Sequence, residues 1–418
     1  MRILILSINY WPEVTGIGAF TTYRAEHLAA AGHSVEVCTA FPYYPNWKVA
    51  AEYRGKLASN EERKGVRIFR SYAYVPNPVT ALKRIVHEAS FIASSMIRAV
   101  VRKRPDVLLV ISPPLGLAVP AILLSRLWKT PYVFDVEDLQ PDSAADLGML
   151  PSWALKLLYK LEKEAYRHAG LVTTLTPSMR QRIVEKGIPE NKVELIEPRM
   201  DDSLTGISPQ EALAFRQKYG LDDKFLVTYS GNMGVKQGLD VIVDAAAMNS
   251  LDDSMLFLFV GNGTDRDRIR RRATQMKLHN ARFLPVLDET DFRGLIAASG
   301  ICLVTQQQSV SEVAFPSKIV TYLAASRPIV ASVNPNSEVA RITQESGAGK
   351  VVQAEDAKAL SAAIHELRNE DLRELGENAR TYASLRWSSA RVLGHLEQRL
   401  CAVAGSTTDT LAQEGTIR

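Results

Sequence analysis

Two short segments, 300 positions apart, carry the groups that a phosphorylated ligand needs. Near the start, the turn Tyr10-Trp11-Pro12-Glu13-Val14-Thr15 runs into Gly16-Ile17-Gly18, and a helical pattern begins at about Ala19. Far downstream, Phe315-Pro316-Ser317-Lys318 opens a second helical pattern over Ile319–Ala325. A glycine loop at a helix start offers bare backbone N–H groups and the positive end of the helix dipole. Lys318 adds a full positive charge at a helix N-terminus, where the dipole disfavours it, and that cost points to a functional reason. Glycine suits positions 16 and 18 because a side chain there would hold the backbone away from a phosphate. The chemistry these residues suggest is the clamping of a diphosphate by two domains, as in an enzyme that closes on its substrate.

The elements that must carry these groups alternate along the whole chain. Short apolar runs predict strands at Ile3–Ile8, Ser34–Thr39, Val66–Arg70, Val107–Ile111, Tyr132–Asp135, Leu171–Thr174 and Val193–Ile196. Helical patterns fall between them, at Ala19–Ala31, Leu82–Arg102, Leu115–Trp128, Trp153–His168 and Ser178–Lys186. The proline-bounded polar segment from Glu197 to Pro209 reads as a linker, after which a second alternation begins with the run Phe225–Ser230. Its further strands are predicted at Met255–Val260, Ala281–Phe283, Ile301–Val304 and Ile329–Ser332. Such alternation is the signature of parallel sheets covered by helices on both faces, with ligands beyond the carboxyl ends of the strands. The expected domains are residues 1–200 and 201–385, followed by a helix over 386–404 returning to the first domain and a disordered tail over 405–418.

Bulk properties narrow the class. A chain of 418 residues with an ordinary apolar fraction is a globular protein of two domains. Residues 1–200 carry 26 Lys and Arg against 19 Asp and Glu, and the remainder 24 against 27. The basic first half favours anionic partners such as phosphorylated lipids or an acidic membrane surface. No basic run with interleaved aromatics suggests nucleic acid. Cys38, Cys302 and Cys401 are isolated and odd in number, which argues for a reducing cytoplasm and against a thiolate metal site. The charge-free stretch Val107–Ser125 imitates a membrane span, but Ser112-Pro113-Pro114 and Pro120 break it into a strand, a loop and a helix.

Five motifs in order carry a resemblance: Gly16-Ile17-Gly18, Ser230-Gly231-Asn232, Lys236-Gln237-Gly238-Leu239, Val260-Gly261-Asn262-Gly263 and Pro316-Ser317-Lys318 with Leu323-Ala324-Ala325. Over about residues 1–400 the chain resembles the retaining glycosyltransferases of family 4. More narrowly it is similar to the bacterial branch that builds exopolysaccharide, colanic acid or O-antigen units. Tyr10-Trp11-Pro12-Glu13, Pro42-Tyr43-Tyr44-Pro45 and Asp138-Leu139-Gln140-Pro141-Asp142 match that branch. The resemblance implies the α/β GT-B fold, two doubly wound Rossmann-like domains facing a central cleft. It implies transfer of a sugar, with retention, from a nucleotide-diphosphate sugar to a saccharide acceptor.

Carried onto this chain, the resemblance places Gly16, Gly18, Ser317 and Lys318 at the donor diphosphate. Many relatives have an arginine where this chain has Asn232, and a lysine where it has Gln237, which shifts charge to Lys236 and Lys318. Gly261 and the Phe283-Leu284-Pro285-Val286 turn would meet the nucleotide base. Of the paired glutamates of relatives, the second aligns with Thr321, a weaker ribose acceptor, and Glu312 stands nearest the first, which contacts the sugar. Relatives often place a histidine after the Tyr132–Asp135 strand; here Glu137 or Asp138 takes its position, with Asp138 matching the narrower branch. A carboxylate there would stabilise an oxocarbenium-like state. The acids Asp135, Glu137, Asp138 and Asp142 could instead hold a divalent metal. No metal and no cofactor is expected, because GT-B enzymes hold the diphosphate with protein groups.

The acceptor implied is a polyprenyl-pyrophosphate-linked sugar, bounded by the aromatic Pro42–Trp47 loop. The segment Leu82–Arg104 is basic and amphipathic, as in helices that lie peripherally on an inner membrane. Two rival readings stay open: a GT-B nucleotide-sugar epimerase, and a non-catalytic nucleotide-sugar-binding partner subunit.

Overall fold

The computed structural model describes residues 1–418 apart from 14–15, 147–149, 222, 310–314 and 416–418. The chain divides into two compact units. One comprises Met1–Glu197, Val313–Phe315 and Val392–Arg418; the other comprises Pro198–Glu312 and Pro316–Arg391.

The first unit is built on strands β1 (Arg2–Leu6), β2 (Ser34–Ala40), β3 (Ala58–Arg63), β4 (Val66–Ser71), β5 (Val107–Ser112), β6 (Tyr132–Val136), β7 (Leu171–Thr174) and β8 (Val193–Leu195). They lie in the order β3-β4-β2-β1-β5-β6-β7-β8, parallel throughout except for the β3–β4 pair. All six residues of β5 are buried, as a central parallel strand requires. The strand direction reverses its march between β1 and β5, so the loops after these strands flank the switch point where α/β sheets bind ligands. One face of the sheet is packed by helices Ala81–Val100, Ala118–Trp128 and Ser152–His168 through Phe91, Leu124 and Tyr166. The opposite face is covered by Ala25 and Leu28 of helix Ile17–Ala30 and by Val392, Leu396 and Leu400 of the last helix, Ser389–Gly415.

The antiparallel edge strand β3 is absent from the sequence-derived list. Its residues, Ala-Ser-Asn-Glu-Glu-Arg, contain no apolar alternation because both its faces are partly in water. The signal that marks it is the two-residue turn Lys64-Gly65, both at positive φ, which joins it to β4. The apolar stretch from Val107 divides as its prolines dictate. Strand β5 ends at Ser112, and helix Ala118–Trp128 tolerates Pro120 in its first turn. Among the described residues no helix is long and apolar enough to cross a membrane.

The second unit holds strands β9 (Phe225–Ser230), β10 (Met255–Val260), β11 (Ala281–Leu284), β12 (Ile301–Thr305), β13 (Ile329–Val333) and β14 (Gly349–Gln353). Their order is β11-β10-β9-β12-β13-β14, all parallel, with the switch between β9 and β12. Phe257, Phe259, Val227 and Leu303 form the centre of one core and Leu226, Leu256 and Leu258 that of the other face. Helix Pro209–Tyr219 begins where the linker reading ends, set by a capping box between Ser208 and Glu211. Both units are Rossmann-like α/β domains, as the GT-B expectation requires.

Candidate active site

In the second unit the site is built from three strand ends and one helix start. Strand β9 ends at Ser230 and turns through Gly231-Asn232-Met233-Gly234; β10 ends at Val260 and turns through Gly261-Asn262-Gly263. The two turns are laced together, Gly231 donating its N–H to Val260 (2.9 Å) and Met233 to Asn262 (2.8 Å). Gly261 sits at φ +133°, and a Cβ there would stand 2.1 Å from the Gly231 carbonyl oxygen, so no other residue fits.

Helix Lys318–Ala324 is anchored to this loop by Tyr322, whose hydroxyl accepts from the Ser230 N–H at 2.9 Å. That anchor brings the Lys318 side chain over the loop. Its Nζ lies 3.5 Å from the Tyr229 ring centroid, and a Cβ on Gly231 would be 3.6 Å from it. The Tyr229 hydroxyl in turn donates to the Asn232 carbonyl at 2.6 Å, fixing the turn. The ammonium is fully buried and has no hydrogen-bond partner among the described residues. Burial pushes its pKa well below the ordinary lysine value. Among the described residues the ring face of Tyr229 is its stabilising contact, which is less than a buried cation requires. The site is therefore electrostatically incomplete and suited to an anion.

The other expected donor-site residues surround this point unevenly. Asn232 is exposed in the first turn, and Ser317 is exposed at the N-cap of the Lys318 helix, making no side-chain cap bond. Lys236 is half-buried in the turn Val235–Gln237, its carbonyl accepting from the Gln307 N–H at 2.9 Å. Gln237 turns inward and accepts from the Gly234 N–H at 3.0 Å, which leaves Lys236 as the cation of this loop. Thr321 is half-buried one turn along the helix from Lys318, and Val286 is exposed past the end of β11. Glu312 lies outside the described residues.

In the first unit the glycine turn and the acidic segment are joined through a residue that the motifs do not include. Arg24, on the helix that Gly16 precedes, is buried and donates to Asp135 (2.5 Å) and Glu137 (2.6 Å). Asp135 also accepts from the Thr173 hydroxyl at 2.6 Å. Glu137 is buried beside it with Oε2 unpartnered among the described residues. Burial pushes the Glu137 pKa up, against the pull of Arg24 and with the push of Asp135. Asp138 is placed differently: half-exposed, beyond the end of β6, with Oδ1 accepting from the Ser143 hydroxyl at 2.8 Å. Asp142 is tied to Lys186. Among the described residues no group of three His, Cys, Asp or Glu side chains could hold a metal ion.

Gly16 takes φ +59°, and Gly18 packs so close to Glu13 that a Cβ would meet its carbonyl oxygen at 2.7 Å. Glu13 is itself buried. Its carboxylate accepts from the Tyr43 and Tyr44 N–H groups (2.8 and 2.7 Å) and from Asn9 (2.7 Å). One side chain thus fixes the aromatic loop against the glycine turn. Sequence reasoning missed Arg24, Tyr229, Tyr322 and the role of Glu13. A helix face that buries an arginine, or a carboxylate beside a glycine turn, gives no local signal, because the partners are distant in the chain.

Residues 15–199 match the family described as a glycosyl transferase 4-like domain, and residues 211–384 match glycosyl transferases group 1. The chain is 31% identical over 376 residues to WcaI of Escherichia coli K12, named as a colanic acid biosynthesis glycosyl transferase, covering 88% of this chain and 92% of that one. It is 26% identical over 276 residues to the Pseudomonas aeruginosa protein WbjE, named as a glycosyltransferase, covering 66% of this chain and 69% of that one. Among solved structures, Anabaena HepE in complex with UDP superposes with a TM-score of 0.72 at 16% identity, covering 96% of this chain and all of that one.

Proposed function

From the premise that this chain belongs to the group 1 glycosyltransferases, with a glycosyl transferase 4-like first domain, we propose that it transfers a hexosyl-type sugar from a nucleotide-diphosphate donor to a lipid-linked saccharide, with retention. The observation that carries the reading is the buried amine of Lys318 above the Gly231 turn, with no hydrogen-bond partner among the described residues. A diphosphate leaving group supplies the missing counter-charge, and its charge grows as the sugar departs, so the interaction strengthens toward the transition state.

In this reading Lys318 and Lys236 hold the diphosphate, with Asn232 and the Ser317 hydroxyl or N–H as neutral donors. Thr321 takes a ribose hydroxyl, and Gly261 and Val286 border the base. Gly16 and Gly18 offer bare backbone N–H groups suited to a phosphate. Glu312 takes sugar hydroxyls. Asp138 is the carboxylate for the reacting sugar: it is half-exposed, while Glu137 is occupied by Arg24. The acceptor hydroxyl loses its proton to the departing phosphate oxygen as the new glycosidic bond forms, so no enzyme nucleophile and no metal takes part.

The acceptor is a polyprenyl-pyrophosphate-linked sugar of a surface polysaccharide, and the enzyme works at the cytoplasmic face of the membrane. The name of the WcaI relative supports the polysaccharide class. A thermal-shift screen against UDP, GDP, ADP and CDP, with and without EDTA, tests the donor half. One diphosphate should raise the melting temperature, with no effect of EDTA. No shift with any of the four removes the donor-binding premise.

A further inference from the structure

We propose that three neighbouring helices of the first unit, Ala81–Val100, Ala118–Trp128 and Ser152–His168, present one docking surface for an anionic lipid bilayer. The proposal deepens the reading above, on which it rests for the membrane-bound acceptor, and assigns the surface that reaches it. These helices are the crossovers that serve β5, β6 and β7, and they pack side by side on one face of the sheet. Each already buries a stripe in the same core. A helix so placed ordinarily turns charged and polar residues to water.

Here the outward stripes are apolar as well. The first helix leaves Leu82 72% and Ile97 69% exposed, with Ile85 and Val86 between them. On the second, Val119, Leu123 and Leu127 recur every four residues and are all exposed. The third exposes Leu157 and, at 72%, Trp153, the one tryptophan among the exposed large apolar residues. An apolar face spread over three adjacent helices exceeds the scattered exposure usual on a monomer surface.

Charge decides the occupant. Lys156 and Lys160 are exposed on the same side of the third helix as Trp153 and Leu157, and Arg126 and Lys129 bracket Leu127. The acids of these helices are already paired, Glu88 with Arg84, Glu162 with Lys186 and Glu164 with Arg167. Lys156 and Lys160, without an ion pair among the described residues and beside an exposed tryptophan and leucine, are what an anionic interface takes up: the ring sits at headgroup depth and the ammonium groups meet phosphates. A second copy would bring the same cations face to face. Of the cations in the basic segment Leu82–Arg104, Arg98 and Arg102 add nothing to this surface. Both guanidinium groups lie over the Phe69 ring, and Arg98 donates to the Ser59 carbonyl, so they face the protein.

The test is sedimentation of the full chain with vesicles of phosphatidylethanolamine and phosphatidylglycerol, against phosphatidylcholine vesicles. The chain should partition onto the anionic vesicles and leave them as salt rises. Trp153→Glu with Leu157→Glu, and separately Lys156→Glu with Lys160→Glu, should each lower partitioning about ten-fold or more. Trp153→Phe should keep partitioning but reduce tryptophan quenching by brominated lipid chains. Thermal melts, and the shift by whichever diphosphate binds the unaltered chain, report the fold and donor site of each variant separately. If the unaltered chain ignores anionic vesicles, or both charge and apolar variants bind as it does, the surface assignment is wrong. A dimer in light scattering that Trp153→Glu with Leu157→Glu dissolves, without vesicle binding, gives the face to a second copy and also overturns it. Vesicle binding lost in the variants while no nucleotide shifts the melt leaves the surface standing and sinks the donor reading alone.

Discussion

The Lys318 amine is buried with no hydrogen-bond partner among the described residues, and this sets its protonation behaviour. Between its depressed pKa and the ordinary value of 10.5, the folded protein binds fewer protons at this residue than the unfolded chain does. Stability contributed by the residue therefore rises with pH across that window. A diphosphate that restores the charge must bring a proton with it. Calorimetry in buffers of different ionisation heat should record proton uptake on nucleotide binding, and affinity should fall as pH rises through the window. Lys318→Met should raise the melting temperature of the free protein, abolish its diphosphate shift and cut turnover about 10²-fold or more. Near-normal turnover would remove the lysine from the mechanism. Asp138→Asn should lower turnover by a similar factor with an unchanged melt, whereas Arg24→Met should unfold the first unit by stranding two carboxylates, at about 3–5 kcal/mol. Lys318 and Asp138 can be nominated from sequence because each belongs to a local string of residues. Arg24 cannot: its partner Asp135 lies 111 positions away, and a lone arginine in a helix reads as solvated.

Elements were legible where burial imposed a pattern on them. Strands β9 and β10 match their sequence readings to the residue, because a strand covered on both faces is an unbroken apolar run. Strand β3, half in water at the sheet edge, and β14, whose residues are only partly buried, left no such run. Loops were legible only through glycine. Gly261→Ala tests that meaning: the added methyl would press on the Gly231 carbonyl, so the two strand-end turns must separate. Donor affinity should drop more than about ten-fold while strand content by circular dichroism stays near that of the parent. Glu13 offers the complementary case in the first unit, since it holds the Tyr43–Tyr44 backbone. Glu13→Ala should raise the acceptor KM and expose the Pro42–Trp47 loop to limited proteolysis. An unchanged proteolysis pattern would show that the loop does not depend on this carboxylate.

For the molecule as a whole, the first unit is assembled from both ends of the chain. Val392, Leu396 and Leu400 of the last helix are nearly or fully buried against Ile3, Val35 and Leu109. Glu397 of the same helix bonds His33 at 3.0 Å. Burial of the three apolar side chains contributes on the order of 5 kcal/mol. A chain ending at Ser388 should therefore lose the melting transition of the first unit and retain the diphosphate-dependent shift of the second; a single unaltered transition would refute that dependence. The fold class itself was readable from the alternation of strands and helices, which is a property of the whole string. The same arrangement sets a timetable for synthesis. The ribosome delivers residues 1–197, then the entire second unit, and only afterwards the helix that completes the cover of the first sheet's second face. At translation speeds of 5–20 residues per second that interval lasts roughly 10–40 s. Throughout it, the part of that sheet face not packed by helix Ile17–Ala30 is uncovered, so a chaperone that binds apolar surface has a defined window and a defined surface on which to act. A stop codon in the last few dozen residues, downstream of every proposed catalytic group, would make that window permanent.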